Sequence, residues 1–140
     1  MTETGTAILL LWTAICQVES GSDPNVKDGA AGEVGIAQIS RICVDDTNDI
    51  CRKLGLSRRP FTWSDCKDPE QAFEIFKIYT GFWGLRYALE NDLDAISIEI
   101  LARIWNGGPD MVGTDDYWAK VEAVLQEMVE DVEEEEEDEN

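Results

Sequence analysis

Residues 7–16 constrain the fold most, because Thr13 alone interrupts this apolar run. A bilayer-spanning helix needs about 20 such residues, so the run is too short to cross a membrane. No basic region precedes it, and we therefore predict no signal peptide. A helix that is apolar on every side is typical of a protein interior. We predict a central helix over residues 6–19, ended by Asp23 and Pro24.

Charge is concentrated at the C-terminus. A chain of 140 residues favours one domain, here residues 1–129, and nine of its 30 acidic residues lie at 130–140 without a basic one. We expect this acidic tail to be disordered, because its like charges repel. The preceding part still has 21 acidic residues against 11 basic ones. This excess argues against nucleic-acid binding and against attraction to an anionic membrane.

The chain has four cysteines, Cys16, Cys43, Cys51 and Cys66, and no histidine. A zinc site would need all four at unfavourable spacings, so we predict no metal and no cofactor. Cys43 and Cys51 would lie about 12 Å apart on one helix, too far to bond each other. A Cys51–Cys66 disulfide stays open, and buried thiols are the simpler expectation.

Caps, breakers and apolar periodicity predict four further helices, over residues 40–54, 69–90, 95–105 and from about 114 onward. Gly55 ends the first of these. Asp68 and Pro69 begin the next, with Gln71 reaching back to the cap. Residues 21–39 contain four glycines and are predicted as a loop or small hairpin. The predicted class is mainly α, with about five helices around the central apolar helix.

Glu19 is the residue that suggests a chemistry. Cys16, Ile15 and Trp12 precede it on the same side of the helix. Apolar neighbours favour a protonated carboxyl group, because burial penalises the charged form. A carboxylic acid that is protonated near neutral pH is the proton donor that glycosidic bond cleavage requires. The alternative is a carboxylate at a helix end in solvent, where most glutamates lie.

Three sequence elements resemble the soluble lytic transglycosylase and goose-type lysozyme family, within the lysozyme-like superfamily. They are Val18-Glu19-Ser20-Gly21 with Asp23-Pro24, Gly35-Ile36-Ala37-Gln38-Ile39, and Ala102-Arg103-Ile104-Trp105-Asn106-Gly107-Gly108-Pro109. Residues 44–48 and 117–121 also resemble a small branch found in bacteria and their phages. The resemblance covers about residues 7–125, and it implies an α+β lysozyme-like catalytic domain.

The family implies a lytic transglycosylase that cleaves the β-1,4 bond between MurNAc and GlcNAc in peptidoglycan. In it, Glu19 would be the general acid and base. Ser20 would contact the sugar or steady the acid. Gln38 and Asn106 would bind substrate from opposite walls of a groove, although Gln38 could instead satisfy loop backbone and Asn106 could cap a helix. Tyr117 would orient the acid or the sugar.

Aromatic residues suit a sugar groove, and Trp63, Trp83, Trp105 and Trp118 are candidates for stacking on pyranose rings. At helical spacing such residues more often pack in the core. Trp105 is the best candidate, because it precedes Asn106.

Two rival functions remain open. Hydrolysis with two carboxylates needs a partner within about 5–9.5 Å of the acid, and Glu33 and Asp45 are the candidates. The transglycosylase route needs Glu19 alone, so we favour it. The other rival is a non-catalytic module that binds glycan or builds a virion.

The acidic charge bears on where such a protein works. Cell walls are rich in anionic groups, which would repel this domain at long range. We therefore expect a phage-encoded protein that is associated with the virion or released to the cell wall or periplasm. Its expected partners are peptidoglycan glycan strands and a virion or other basic protein bound by the acidic tail. The alternative for the tail is a solubilising role.

Overall fold

The computed structural model describes residues 3–139, which form five α-helices and one short 3₁₀ helix. The α-helices are α1 (Glu3–Ser20), α2 (Arg41–Leu54), α3 (Pro69–Glu90), α4 (Ile98–Gly107) and α5 (Asp115–Glu139), and the 3₁₀ helix, η1, is Trp63–Lys67. The prediction of a mainly helical chain with five helices is confirmed. Between residues 3 and 139 the only β pairing is one isolated bridge, so the α+β lysozyme-like fold is not shown.

Local signals set the ends of α2 and α3 as predicted. The side chain of Ser40 caps α2, and Gly55, with a φ of 66°, ends it. Asp68 caps α3, and Pro69 occupies its first position. The predicted role of Gln71 is wrong, because its side-chain oxygen accepts a hydrogen bond from an arginine of the preceding connection.

Helix α1 is buried on one side only. Leu11, Ala14 and Ile15 are fully buried, whereas Leu9 and Leu10 keep 40% and 43% of their surface exposed. The prediction of a central helix is therefore wrong, because α1 packs against α4, α5 and two aromatic rings of α3 but faces solvent elsewhere. In the described part of the chain, no helix has the length and apolarity that a bilayer crossing requires.

An aromatic cluster joins α1, α3 and α4. The ring of Trp12 lies 5.2 Å from those of Phe73 and Phe76. Phe76 and Tyr79 meet Trp105 edge to face, at 5.3 and 6.1 Å. Each such pair contributes about 0.5–1.5 kcal/mol beyond its buried area. The cluster fixes Trp105 against the core beside the C-terminal half of α1.

The predicted small hairpin is present between α1 and α2. Val34 and Ile39 are buried and exchange two backbone hydrogen bonds, of 3.1 and 2.8 Å. Gly35, at the turn, has a φ of 81° and lies against the backbone carbonyl of Cys66, where a β-carbon would collide. This contact holds the hairpin against η1. The hairpin also contacts the C-terminal end of α1, where Ser20 bonds to Ile36.

All four cysteines are free, so the Cys51–Cys66 disulfide that the sequence left open is absent. Cys16, Cys51 and Cys66 are buried, and Cys43 is half-buried.

The sequence predicts disorder for the acidic segment, whereas the structure continues α5 through it as far as Glu139. Glutamate is a good helix former, and each like-charged pair on a helix costs only a few tenths of a kcal/mol. Apolar residues of α5 also lie beside α1, from Leu125 and Met128 to Val132, which is within this segment. Residue 140, the last of the predicted tail, lies outside the described residues.

Candidate active site

An open cleft of about 440 Å³ lies where the C-terminal ends of α1 and α4 meet the hairpin and the start of α2. Its lining combines five predicted site residues with five others: Glu19, Glu33, Gln38, Trp105 and Asn106, then Gly29, Ala30, Ile39, Ser40 and Cys43. Residues from three separated parts of the sequence therefore share one cleft.

Glu19 lies in the last turn of α1 and is half-buried. Burial raises the pKa of its carboxyl group from 4.5 to about 7, and the negative charge of Glu33 contributes in the same direction. A hydrogen bond from the side chain of Trp105 opposes both effects, because it favours the charged form. Glu19 can therefore hold a proton near neutral pH and can also release it.

The neighbours of the Trp105 side chain are the aromatic cluster and Glu19. Its ring packs edge to face on Phe76 and Tyr79 in the aromatic cluster. Its indole N–H group lies close enough to Glu19 to lower the pKa of that carboxyl group. Because the ring is held from the core side, the direction of its N–H group is set before any substrate binds.

Gln38 stands at the hairpin turn in a left-handed conformation, with a φ of 50°. Its side-chain nitrogen donates to the carbonyl of Gly35 at 2.9 Å, so the loop backbone uses the donor end of the amide. The oxygen end lies beside Gly29, where a β-carbon would come within 2.7 Å of it. Residues other than glycine rarely adopt this conformation, and such strain is concentrated at functional sites.

Of the two candidates for a second carboxylate, only Glu33 lies in the cleft. Its Oε2 accepts a hydrogen bond from the backbone of Ala31 at 3.3 Å, and its charge acts on Glu19. Asp45 is exposed on α2 and lines a separate cavity of about 110 Å³ with Arg41 and Trp63. Of the two carboxylates that the sequence offers as a partner for Glu19, only Glu33 therefore lies in the same cleft.

Ser20 and Tyr117 lie behind the cleft, outside its lining. The hydroxyl of Ser20 donates to the carbonyl of Ile36 at 2.7 Å and so ties the end of α1 to the hairpin. Tyr117 is buried, and burial together with the charge of Glu19 raises the pKa of its phenol. Among buried side-chain polar atoms in residues 3–139, its hydroxyl is the one without a hydrogen-bond partner. Ser20 therefore contacts backbone rather than Glu19, and Tyr117 lies close enough to Glu19 for the charge of that residue to act on its phenol.

The other tryptophans lie outside the cleft lining. Trp63 stacks under Arg41 at 4.3 Å, and the indole N–H of Trp83 donates to Asp46 at 2.8 Å. Trp118 packs against the hydrophobic core.

Five lining residues were not predicted from the sequence, and Ser40 and Cys43 carry polar groups. Ser40 was recognised only as a helix start, and its hydroxyl does accept from the backbone of Cys43 at 3.2 Å. Burial raises the pKa of the Cys43 thiol to about 12, so it stays protonated. Their position in the sequence was the available signal, because Ser40 caps the helix that follows the hairpin and Cys43 lies in its first turn.

Comparisons of this chain with family models, with curated proteins and with solved structures give no match. The class that the fold and the cleft themselves define is a helical domain with one glutamic acid of raised pKa in an amide-lined cleft.

Proposed function

We propose that this chain is a lytic transglycosylase of the lysozyme-like type that cleaves the β-1,4 bond between MurNAc and GlcNAc in peptidoglycan. The observation that carries the proposal is the state of Glu19. Its pKa is raised to about 7 inside a cleft that also holds the amides of Gln38 and Asn106. Amides suit the hydroxyl and N-acetyl groups of such sugars, since they donate and accept hydrogen bonds.

In this reaction Glu19 acts twice. As an acid it protonates the glycosidic oxygen while the bond from C1 of MurNAc to that oxygen breaks, and GlcNAc leaves with a free hydroxyl. As a base it then takes the proton from the C6 hydroxyl of MurNAc, whose oxygen bonds to C1. The product is a 1,6-anhydro sugar, no water is consumed, and Glu19 is protonated again. The substrate's N-acetyl group can assist the first step. A pKa near 7 suits both roles at neutral pH.

The surroundings of Glu19 match these two roles. Burial and the charge of Glu33 favour the acid form, while the hydrogen bond from Trp105 favours the carboxylate. The oxygen of Gln38 and the exposed amide of Asn106 are available to the substrate from the hairpin and from α4. A volume of about 440 Å³ is in the usual range for sites that bind small molecules and sugar units.

Hydrolysis of the same bond is the second candidate, and the position of Glu33 favours it. Glu33 lines the cleft and acts electrostatically on Glu19. As a carboxylate it could activate a water molecule or stabilise the positive charge that develops on the sugar. The sugar would then end in a reducing group.

Mass spectrometry of a peptidoglycan digest separates the two reactions. Transglycosylation produces anhydro ends, whereas hydrolysis produces reducing ends that are heavier by one water. Glu19→Gln keeps the size of the side chain but cannot donate the proton, so it should abolish cleavage and still sediment with cell walls. Asp45→Asn is the matched control, because it removes an exposed carboxylate outside the cleft.

Two results would contradict the proposal. Full cleavage by the Glu19→Gln variant would exclude the acid that we assign. Binding of cell walls by the unmodified protein without any cleavage would indicate a non-catalytic glycan-binding or virion module. The proposed place of action, outside the cytoplasm after release from a phage-infected cell or from a virion, belongs to the same proposal.

A further inference from the structure

A second concave surface lies along α1 and α5, in a groove of about 490 Å³. Leu10 on α1 and Leu125, Met128 and Val132 on α5 contribute to its apolar lining. Glu133 and Glu136 line its end. We define these residues, together with Ala7 and Val129, as the α1–α5 groove.

The apolar residues of this groove are unusually exposed. Leu10 keeps 43% of its surface accessible, Val129 keeps 50% and Val132 keeps 56%, whereas Val121 on the same helix is fully buried. The apolar side of α5 therefore leaves the core progressively towards its C-terminus. An apolar surface that is rimmed by charge is typical of an interaction site.

The charge around the groove has one sign. Residues 130–137 contain seven acidic residues and no basic one, and they form the last turns of α5 within the described side chains. Like charges three and four positions apart destabilise a helix. Cationic groups bound along these turns would relieve that repulsion.

This charge selects among occupants. A second copy of the chain would carry the same formal charge of −19, and an anionic membrane would also be repelled. We propose that the α1–α5 groove binds a basic amphipathic helix of a partner protein. The apolar face of that helix would cover Leu10, Val129 and Val132, and its Lys and Arg side chains would pair with the acidic turns. Helix-in-groove recognition combines these two features.

The groove and the cleft do not overlap. From Ala7, in the groove, to Glu19, in the cleft, α1 rises by about 18 Å at 1.5 Å per residue. A docked helix would leave the cleft open, so the two proposals can be tested separately. The stretch from Leu125 to Glu136 matches roughly three turns of a partner helix.

Calorimetric titration of the full chain with synthetic peptides tests this inference. The first probe is a Leu/Lys peptide whose leucines share one helix face, and the second has the same composition with its leucines spread around the helix. We expect the second to bind at least about tenfold more weakly. Leu10→Ser with Val132→Ser should weaken binding of the first probe to a similar extent. Leu89→Ser, which alters a leucine that is 70% exposed outside the groove, should leave it unchanged.

The contribution of charge is tested by the neutralised variant, which combines Glu133→Gln, Glu134→Gln, Glu135→Gln, Glu136→Gln and Glu137→Gln. It should bind the first probe more weakly and with less dependence on salt. If the variant with both Leu10→Ser and Val132→Ser loses its helical circular dichroism, Val132→Ser alone is used to measure the contribution of the apolar groove to binding.

Three results would overturn the inference. Equal binding of both peptides would mean attraction by charge alone. Self-association of the unmodified chain that Val132→Ser removes would identify a second copy as the occupant. Binding to uncharged phosphatidylcholine vesicles that Leu10→Ser abolishes would identify a lipid surface.

Discussion

At the scale of single residues, the charge of Glu19 links stability to pH. Its pKa is 4.5 in the unfolded chain and about 7 in the folded one. Both states are protonated below pH 4.5, so Glu19 has no effect there. As the pH rises to 7, the unfolded chain releases this proton more readily, and the folded state loses stability. Above pH 7 the penalty is complete.

Glu19→Gln removes this penalty. We expect the variant to be more stable than the parent by about 1–3 kcal/mol at pH 8, and equally stable at pH 4. Urea unfolding at both pH values measures the difference, with Asp45→Asn as the control for the loss of one negative charge. Equal gains at pH 4 and pH 8 would contradict the assigned cause.

The neighbours of Glu19 predict opposite shifts in the pH dependence of activity. If the proposed function holds, cleavage should fall as the pH rises through about 7, because Glu19 must be protonated to act as the general acid. Glu33→Gln removes a negative charge and should move this fall to lower pH. Trp105→Phe keeps an aromatic ring but removes the hydrogen bond, so it should move the fall to higher pH.

The measurement is kcat/KM for cell-wall clearing between pH 5 and pH 9, a range that brackets the pKa of about 7. Shifts in the same direction for both variants would contradict the arrangement. Complete loss of activity in Glu33→Gln, with reducing ends in the parent's products, would instead favour hydrolysis.

At the scale of elements, the hairpin is the part on which the cleft depends. Gly32 and Gly35 both have positive φ angles, of 86° and 81°, but only at Gly35 would a β-carbon meet another chain segment, at Cys66. Gly32→Ala should therefore cost about 1 kcal/mol for the backbone conformation alone. Gly35→Ala should cost about 3 kcal/mol or more, because the hairpin must also move away from η1.

Urea unfolding compares the two glycine variants directly. Gly35→Ala should in addition weaken cell-wall binding, since Ser20 and Gln38 hydrogen-bond to this hairpin. Similar stability losses in both variants would show that the contact with Cys66 does not hold the hairpin.

Helix ends were predictable where the signal is local. Gly55 and Asp68 act within one turn of their own position, and the structure places both as predicted, whereas Ser40, predicted as the first helical residue, is the cap that precedes α2. The exposed side of α1 and the length of α5 were not predictable in this way. The exposed side of α1 depends on which surfaces the neighbouring helices cover. The length of α5 depends on the balance between the helix propensity of glutamate and the repulsion between like charges along the acidic turns.

The cleft residues divide in the same way, into those that local motifs predict and those that depend on how the elements pack. Short motifs predicted Glu19, Gln38 and Asn106, and the structure brings them to one surface. The role of Trp105 as a hydrogen-bond donor depends on ring contacts with α3, which sequence spacing does not encode. The choice of Glu33 over Asp45 depends on how the hairpin docks. Cys43 joins the lining for the same reason.

At the scale of the whole molecule, the cleft around Glu19 and the acidic turns of α5 lie at different places along α1. The cleft is at its C-terminal end, and the acidic turns of α5 lie near its start. A basic partner in the α1–α5 groove would cancel part of the repulsion between this chain and an anionic wall without covering the cleft. The two proposals are therefore compatible, and one would strengthen the other.

Long-range repulsion predicts an unusual salt dependence. The chain carries a formal charge of −19, and the cell wall that we propose as its substrate is rich in anionic groups. Screening shortens from about 30 Å at 0.01 M salt to about 8 Å at 0.15 M, so sedimentation of the Glu19→Gln variant with cell walls should increase over this range. The Glu19→Gln chain that also carries the neutralised variant's five changes should respond less, since it lacks five charges. A decrease with salt would contradict this expectation, because it would mean that local basic contacts, such as one with the exposed Arg41, dominate binding over the net charge.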